Sequence, residues 1–124
     1  MQRITLPGTG LAVSPLCLGG NRLGGELDRD RSFALLDAFA EAGGNFVDTA
    51  HVYADWRPDA ERSCSEKTIG RWRAARGAGD IVVATKIGHP PLGAAGLSRL
   101  DRASLRQDVF EALDNLGLSR LDLV

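Results

Sequence analysis

Four short apolar segments recur along the chain, and a stretch with helical periodicity follows each of the first three. They are centred on Leu16, Val47, Val83 and Leu123, which lie 31, 36 and 40 residues apart. Units of about 30 residues or more with this alternation connect parallel strands through right-handed crossovers. The repeat therefore predicts an α/β fold, either a doubly wound sheet or a (β/α) barrel.

Turn residues and periodicity divide the chain into a hairpin and four units. The turn cluster Pro7–Gly10 indicates the hairpin. The predicted strands are Arg3–Leu6, Leu11–Ser14, Pro15–Leu18, Asn45–Val47, Ile81–Ala84 and Leu121–Val124. The predicted helices are Asp30–Ala42, which ends at Gly43–Gly44 and has Leu35, Leu36, Phe39 and Ala40 on one face, and two that open at the capping-box spacings Ser63–Glu66 and Ser104–Gln107. The last of them ends at Gly117.

The third unit carries the clearest sign of a parallel sheet. Ile81–Ala84 is β-branched and apolar, which suits a buried strand covered on both faces. A loop rich in Gly and Pro follows over Gly88–Gly96. The first strand is not followed by G-x-G-x-x-G, because the glycines of Gly19–Gly25 have a different spacing, and this disfavours a dinucleotide-binding doubly wound fold.

Composition limits the classes of partner. Fifteen basic and 16 acidic residues leave a net charge of -1 without any block of like charges, which argues against nucleic-acid and anionic-membrane binding. No apolar run approaches the ~20 residues that span a bilayer, and the N-terminus lacks a secretory signal, so we expect a cytoplasmic protein. Cys17 and Cys64 fit neither a zinc site nor a redox pair, and two separated histidines do not predict a metal.

Three residues with useful chemistry occupy strand ends. Asp48 ends the second strand, Tyr53 lies in the loop after it, and Lys86 ends the third strand. In a parallel barrel the catalytic groups project from the carboxyl ends of the strands. Tyr53 is the only tyrosine and Lys86 is one of two lysines, which makes a surface role less natural for either.

The trio is consistent with several roles. A neighbouring ammonium stabilises a phenolate, so a Tyr–Lys pair with a carboxylate to hold the Lys makes a proton donor. A strand-end Lys beside a carboxylate also suits Schiff-base chemistry, as in lyases. Equally, a strand-end Asp can cap or pair, a Lys can extend to solvent and a loop Tyr can simply pack.

Several ordered motifs together cover nearly the whole chain. They are Thr9–Gly20, Phe46–Tyr53, Ser65-Glu66-x-x-Ile69-Gly70, Ala84–Lys86 and Leu97–Leu123. In this order and at this spacing they resemble the aldo-keto reductases. The resemblance implies a (β/α)8 TIM barrel that transfers hydride from a nicotinamide, usually NADPH with NADH as the alternative, to a small aldehyde or ketone.

The resemblance also implies roles for individual residues. Tyr53 would be the general acid, Lys86 would strengthen it as an acid and Asp48 would pair with Lys86. Gly20 and Asn21, with Asp48, would lie at the nicotinamide end of the cofactor, although a glycine here also suits a plain tight turn. Trp56 and His51, in the loop of Tyr53, are the candidate substrate-contacting residues. An alternative for Trp56 is that it packs over the end of a helix.

Length leads to a further expectation. A full barrel takes about 250 residues, so residues 1–124 correspond to the N-terminal half of an aldo-keto reductase domain that stops within strand 4. The family's fourth catalytic residue, a histidine after that strand, is matched by neither histidine here. We therefore expect weak or no activity from the chain alone. The alternatives are a non-enzymatic half-barrel or regulatory subunit that pairs with another chain or a second copy, and a Schiff-base lyase that uses Lys86.

Overall fold

The computed structural model of the chain describes residues 1–90, 93–94 and 96–124. Its strands are β1 (Ile4–Thr5), β2 (Ala12–Val13), β3 (Leu18–Gly19), β4 (Phe46–Asp48) and β5 (Val82–Ala84). Its helices are α1 (Arg29–Glu41), α2 (Cys64–Arg76) and α3 (Arg102–Leu116). This order confirms the predicted hairpin and the alternation of strands with helices. Within the predicted Gly88–Gly96 loop, positions 91, 92 and 95 lie outside the described residues.

The strands β3, β4 and β5 form a parallel sheet in chain order. Val47 pairs with Val83, and both face the helices and are fully buried. Their neighbours Phe46 and Val82 are only half-buried. The expectation that Ile81–Ala84 is covered on both faces is therefore wrong within the described residues, because the helices pack on one side of the sheet. The sheet does not close into a barrel over the ranges that the structure describes.

The core lies between the sheet and the three helices. It is a single apolar cluster of Leu23, Phe33, Leu36, Val47, Ile69, Trp72, Ile81, Val83 and Leu116. Ile69 and Trp72, three residues apart on α2, are fully buried, as is Leu36. Leu35, which was expected on the same face as Leu36, is 38% exposed, because adjacent helical positions diverge by about 100°.

The hairpin covers the amino ends of the strands. β1 and β2 are antiparallel, with Ile4 opposite Val13. Asn45, directly before β4, accepts a hydrogen bond from the Ser14 N–H at 2.7 Å and donates to the carbonyls of Ala12 and Asp80 at 3.0 and 3.3 Å. One buried amide thus ties the hairpin to the loop before β5, at the end of the sheet opposite Asp48.

The strand predictions need correction at both sheet edges. The first parallel strand is Leu18–Gly19 and not Pro15–Leu18, and Leu16 is 62% exposed. Pro15 has no N–H, and the carbonyl of Leu16 accepts from the Ser14 hydroxyl, so this segment does not join the ladder. The fourth strand is reduced to a single bridge between Ala84 and Leu123. The next ladder position is taken by Asp122, whose carboxylate accepts from the Val83 N–H.

The helix starts are near the predicted places, but both capping boxes are wrong. Ser63 precedes α2 in the left-handed conformation and its side chain caps nothing, whereas Glu66 turns into the core. Ser104 lies inside α3, and the cap is Asp101, which accepts from the N–H groups of Ala103 and Ser104. The predicted helix ends are confirmed, because Gly43 and Gly117 adopt the left-handed conformation that terminates a helix.

No helix in the described part of the chain combines the length and the apolar character that a membrane crossing requires. Both cysteines are free thiols, Cys17 exposed and Cys64 buried.

Candidate active site

Asp48, Tyr53 and Lys86 meet at the carboxyl end of the sheet. The Lys86 ammonium donates to Asp48 Oδ1 at 2.6 Å and to Tyr53 Oη at 2.9 Å. The Tyr53 hydroxyl in turn donates to Asp48 Oδ2 at 3.1 Å. The structure therefore brings all three predicted catalytic residues into one hydrogen-bonded triangle.

Backbone pairing between two strand ends builds this triangle. Beyond β4 and β5 the chain continues in register, with Thr49 N–H donating to the Ala84 carbonyl at 2.8 Å and His51 N–H to the Lys86 carbonyl at 3.1 Å. The Lys86 ammonium also donates to the Thr49 carbonyl at 3.0 Å. Lys86 is thus held by the same segment that leads to Tyr53, and the triangle needs no contact from a distant loop.

The triangle keeps Lys86 charged. Partial burial is the largest single influence and lowers the pKa of Lys86, but the hydrogen bonds with Asp48 and Tyr53 together outweigh it and raise that pKa above its usual value. The ammonium also lies 4.6 Å from the centroid of the Tyr53 ring. A lysine with a raised pKa is a stable cation at neutral pH and a poor amine nucleophile.

A cavity of about 530 Å³ opens beside the triangle. Its described walls are mostly apolar, formed by Ala50, Val52, Tyr53, Trp56, Lys86, Ile87, Gly88, His89 and Pro90. The Trp56 and Tyr53 rings meet edge to face at 6.4 Å, and Trp56 remains 49% exposed. Such a pocket, apolar with one polar corner, has the character of a small-molecule site.

Gly20, directly after β3, packs against the backbone of Asp48. Its N–H donates to the Asp48 carbonyl at 2.7 Å, and an added Cβ would lie 2.7 Å from that oxygen and 3.0 Å from Ser65 Oγ. A glycine is required here by this close approach of two strand ends. Asn21 follows in an exposed turn.

Two buried hydroxyls behind Gly20 are site residues that motif reading missed. Ser65 Oγ donates to the Gly20 carbonyl at 2.7 Å, so the Thr49 hydroxyl, 2.7 Å away, donates to Ser65. This chain links β3, β4 and the start of α2. Both residues lie within motifs that carry the resemblance. Their positions, Thr49 directly after β4 and Ser65 in the first turn of α2, are the signal that could have identified them.

His51 lies apart from the cavity that Tyr53 and Trp56 line. The residue is 4% exposed, with Nε2 3.1 Å from Glu111 Oε2 and Nδ1 3.4 Å from Glu66 Oε2. Glu66, above all, raises the pKa of His51, while burial and Arg62 oppose this effect. The imidazole thus lies between one carboxylate of α2, Glu66, and one of α3, Glu111.

Comparison with known proteins shows the family of the chain. The profile of the aldo/keto reductase family matches residues 15–124. The chain belongs to this family. Norsolorinic acid reductase stcV of Emericella nidulans is 46% identical over an alignment of 137 residues, gaps included. The alignment covers 99% of this chain and 34% of that protein. Aryl-alcohol dehydrogenase [NADP(+)] of Phanerodontia chrysosporium is 49% identical over 94 residues, covering 68% of this chain and 23% of that protein.

Solved structures of aldo-keto reductases share the fold. The aldo-keto reductase AKR11C1 from Bacillus halodurans superposes with a TM-score of 0.76 at 26% identity, over 98% of this chain and 38% of that one. The predicted α/β fold is thus confirmed: the hairpin and the parallel strands of this aldo-keto reductase chain resemble part of the TIM barrel of these structures. The chain spans about a third of the length of the curated relatives that it matches end to end.

Proposed function

We propose that this chain supplies the proton-donating machinery of an NADPH-dependent aldo-keto reductase, with NADH as the alternative cofactor, that reduces an aldehyde or ketone to an alcohol. Residues 1–124 form the N-terminal half of its barrel domain in this proposal. The observation that carries it is the 2.9 Å contact of the Lys86 ammonium with Tyr53 Oη beside an apolar cavity.

Tyr53 is the general acid in this proposal. Its proton points to Asp48 Oδ2, and a rotation about the C–O bond redirects it to a carbonyl oxygen in the cavity. As that oxygen gains negative charge it takes the proton, and the phenolate that remains is stabilised by the Lys86 ammonium. Asp48 keeps the ammonium in place throughout.

The residues present fit a nicotinamide at the end of β3. When bound, the reduced nicotinamide supplies the hydride that completes the alcohol. An added Cβ at Gly19 would meet no atom within 4 Å, so space is open at this strand end next to the triangle. Gly20, Asn21 and Asp48 would hold the nicotinamide, and the apolar wall around Trp56 would face the substrate.

A chimera tests the proposal. Residues 1–124 replace the aligned N-terminal segment of norsolorinic acid reductase stcV, and NADPH consumption is followed with an aromatic aldehyde. We expect carbonyl-dependent oxidation that falls by about 100-fold or more in Tyr53→Phe, because general acid catalysis contributes that much. A folded chimera without activity, or a Tyr53→Phe variant that retains full activity, would contradict the proposal.

The second lysine of the chain offers a matched control. Lys67 is a half-buried residue of α2, and its ammonium is 3.3 Å from Glu61. Lys86→Met should reduce turnover strongly, whereas Lys67→Met should leave it unchanged. The raised pKa of Lys86 disfavours the Schiff-base alternative, and borohydride in the presence of an aldehyde should leave Lys86 unmodified.

A further inference from the structure

Glu66 is a fully buried carboxylate that the proposed chemistry does not use. Its exposed fraction is 0%, and it lies in the first turn of α2. Glu66 Oε1 accepts from the Thr85 hydroxyl at 2.6 Å, and Oε2 accepts from the Asn115 amide at 2.9 Å. His51 Nδ1 lies 3.4 Å from Oε2. Three separate elements therefore converge on one side chain.

A buried carboxylate is costly to the fold unless its partners satisfy it. The N-terminus of α2 favours negative charge, which offsets part of that cost. An apolar residue would fill the same space without this cost, as Ile69 does one turn later. The arrangement of hydrogen bonds, and not the packing alone, is therefore the property that Glu66 contributes.

Two of its partners are next to the catalytic triangle. Thr85 directly precedes Lys86, and it is 97% buried, with an exposed fraction of 3%. His51 lies two residues before Tyr53, and its backbone N–H donates to the Lys86 carbonyl at 3.1 Å. Glu66 thus contacts both chain segments whose separation determines the distance between Lys86 and Tyr53.

We propose that Glu66 is a positioning residue that sets the contact between the Lys86 ammonium and the Tyr53 hydroxyl, through Thr85 on one segment and His51 on the other. This inference rests on the proposed function, in which that contact strengthens the acid. Asn115 anchors Glu66 itself to α3. An error of about 1 Å at a reacting group costs as much as 100-fold in rate, so the anchor has a functional consequence.

The test uses the composition of the chain. It has two lysines and one tyrosine, so selective ¹³C labelling of the lysine ε-carbons gives two assignable signals. The readouts in the 124-residue chain are the pKa of Lys86 and the nuclear Overhauser effect between its ε-protons and the Tyr53 ring. Lys67 provides an internal reference in every sample except that of a variant at its own partner, Glu61.

Thr85→Val is the decisive variant because it keeps shape and removes only the hydroxyl. We expect the raised pKa of Lys86 to fall toward its ordinary value and the Overhauser effect to weaken, with Glu66→Gln acting in the same direction. Thr85→Ser should restore the wild-type behaviour. Glu61→Gln, which alters a surface partner of Lys67, should change only the Lys67 signal.

Far-ultraviolet circular dichroism establishes that each variant is folded. A folded Thr85→Val chain with unchanged Lys86 pKa and Overhauser effect would overturn the positioning role, even if Glu66→Gln fails to fold. Because no cofactor or turnover enters this measurement, its outcome is independent of the chimera. An inactive chimera together with altered Lys86 signals would refute the reductase proposal and leave the positioning role intact.

Discussion

Substitution of Gly20 by Ala tests how closely the strand ends of the site must approach. Neither Gly19 nor Gly20 has a positive φ, so the backbone of either position accepts alanine. An added Cβ at Gly20 would lie 2.7 Å from the Asp48 carbonyl oxygen and 3.0 Å from Ser65 Oγ, whereas one at Gly19 would meet nothing within 4 Å. The two substitutions therefore differ only in the space that receives the methyl group.

The expected magnitudes follow from this difference. At Gly20 the backbone of Asp48 must shift, and overpacking of this kind costs about 1–3 kcal/mol. At Gly19 the loss of freedom in the unfolded chain should stabilise the protein by about 0.4–1 kcal/mol. The same effect on the unfolded chain applies at Gly20, so we expect Gly19→Ala to be more stable than Gly20→Ala by the overpacking cost, about 1–3 kcal/mol.

Urea unfolding followed by tryptophan fluorescence measures both variants. Trp72 is buried in the core, so its emission reports global unfolding. The midpoint should shift while the m-value stays constant, since the surface exposed on unfolding is nearly the same. If Gly20→Ala proves as stable as Gly19→Ala, the close packing of Gly20 against Asp48 is not a constraint and the reasoning fails.

Three further predictions concern the scaffold. The Arg76 guanidinium and the Trp72 indole hold the pKa of Asp37 below its usual value, so this carboxylate stabilises the fold above the unfolded pKa of about 4 and loses that contribution as the pH falls through the lower folded pKa. Asp37→Asn should accordingly lower the urea midpoint at pH 7 and converge with the wild type in acid. Asn45→Ala leaves the buried Ser14 N–H without its partner and should cost about 1–3 kcal/mol in the same assay; an unchanged midpoint would contradict the role of Asn45 as the hairpin anchor. Within the described residues, the outer edge of β3 lacks a partner strand, so gel filtration with light scattering should show a dimer or larger species, and a monomer at all concentrations would argue against pairing.

Local patterns predicted the elements whose signals are themselves local. Gly43 and Gly117 end helices because a left-handed residue satisfies the last carbonyl groups, and this needs no tertiary contact. The predicted capping box at Ser63–Glu66 is wrong because tertiary contacts decide where the Glu66 side chain lies. The spacing of Ser63 and Glu66 permits a cap, but it equally permits Glu66 to turn inward toward partners that are distant in sequence.

The candidate site divides in the same way. The sequence alone determined that Asp48, Tyr53 and Lys86 could meet, because parallel strands bring their carboxyl ends to one edge of a sheet and the three residues lie at or after such ends. Their motif spacing also carried the resemblance to the aldo-keto reductases, which the family match confirms.

Tertiary structure alone decided which side chains support that meeting. Thr85 lies 19 residues from Glu66 and Asn115 lies 49 residues from it, so no local periodicity links them. It was likewise the packing of α2 against α3 that placed His51 between two carboxylates, away from the cavity beside Tyr53. A buried carboxylate such as Glu66 is tolerated only where hydrogen-bond partners satisfy it. The fold brings these partners to it from distant parts of the chain, so their spacing in the sequence does not predict them.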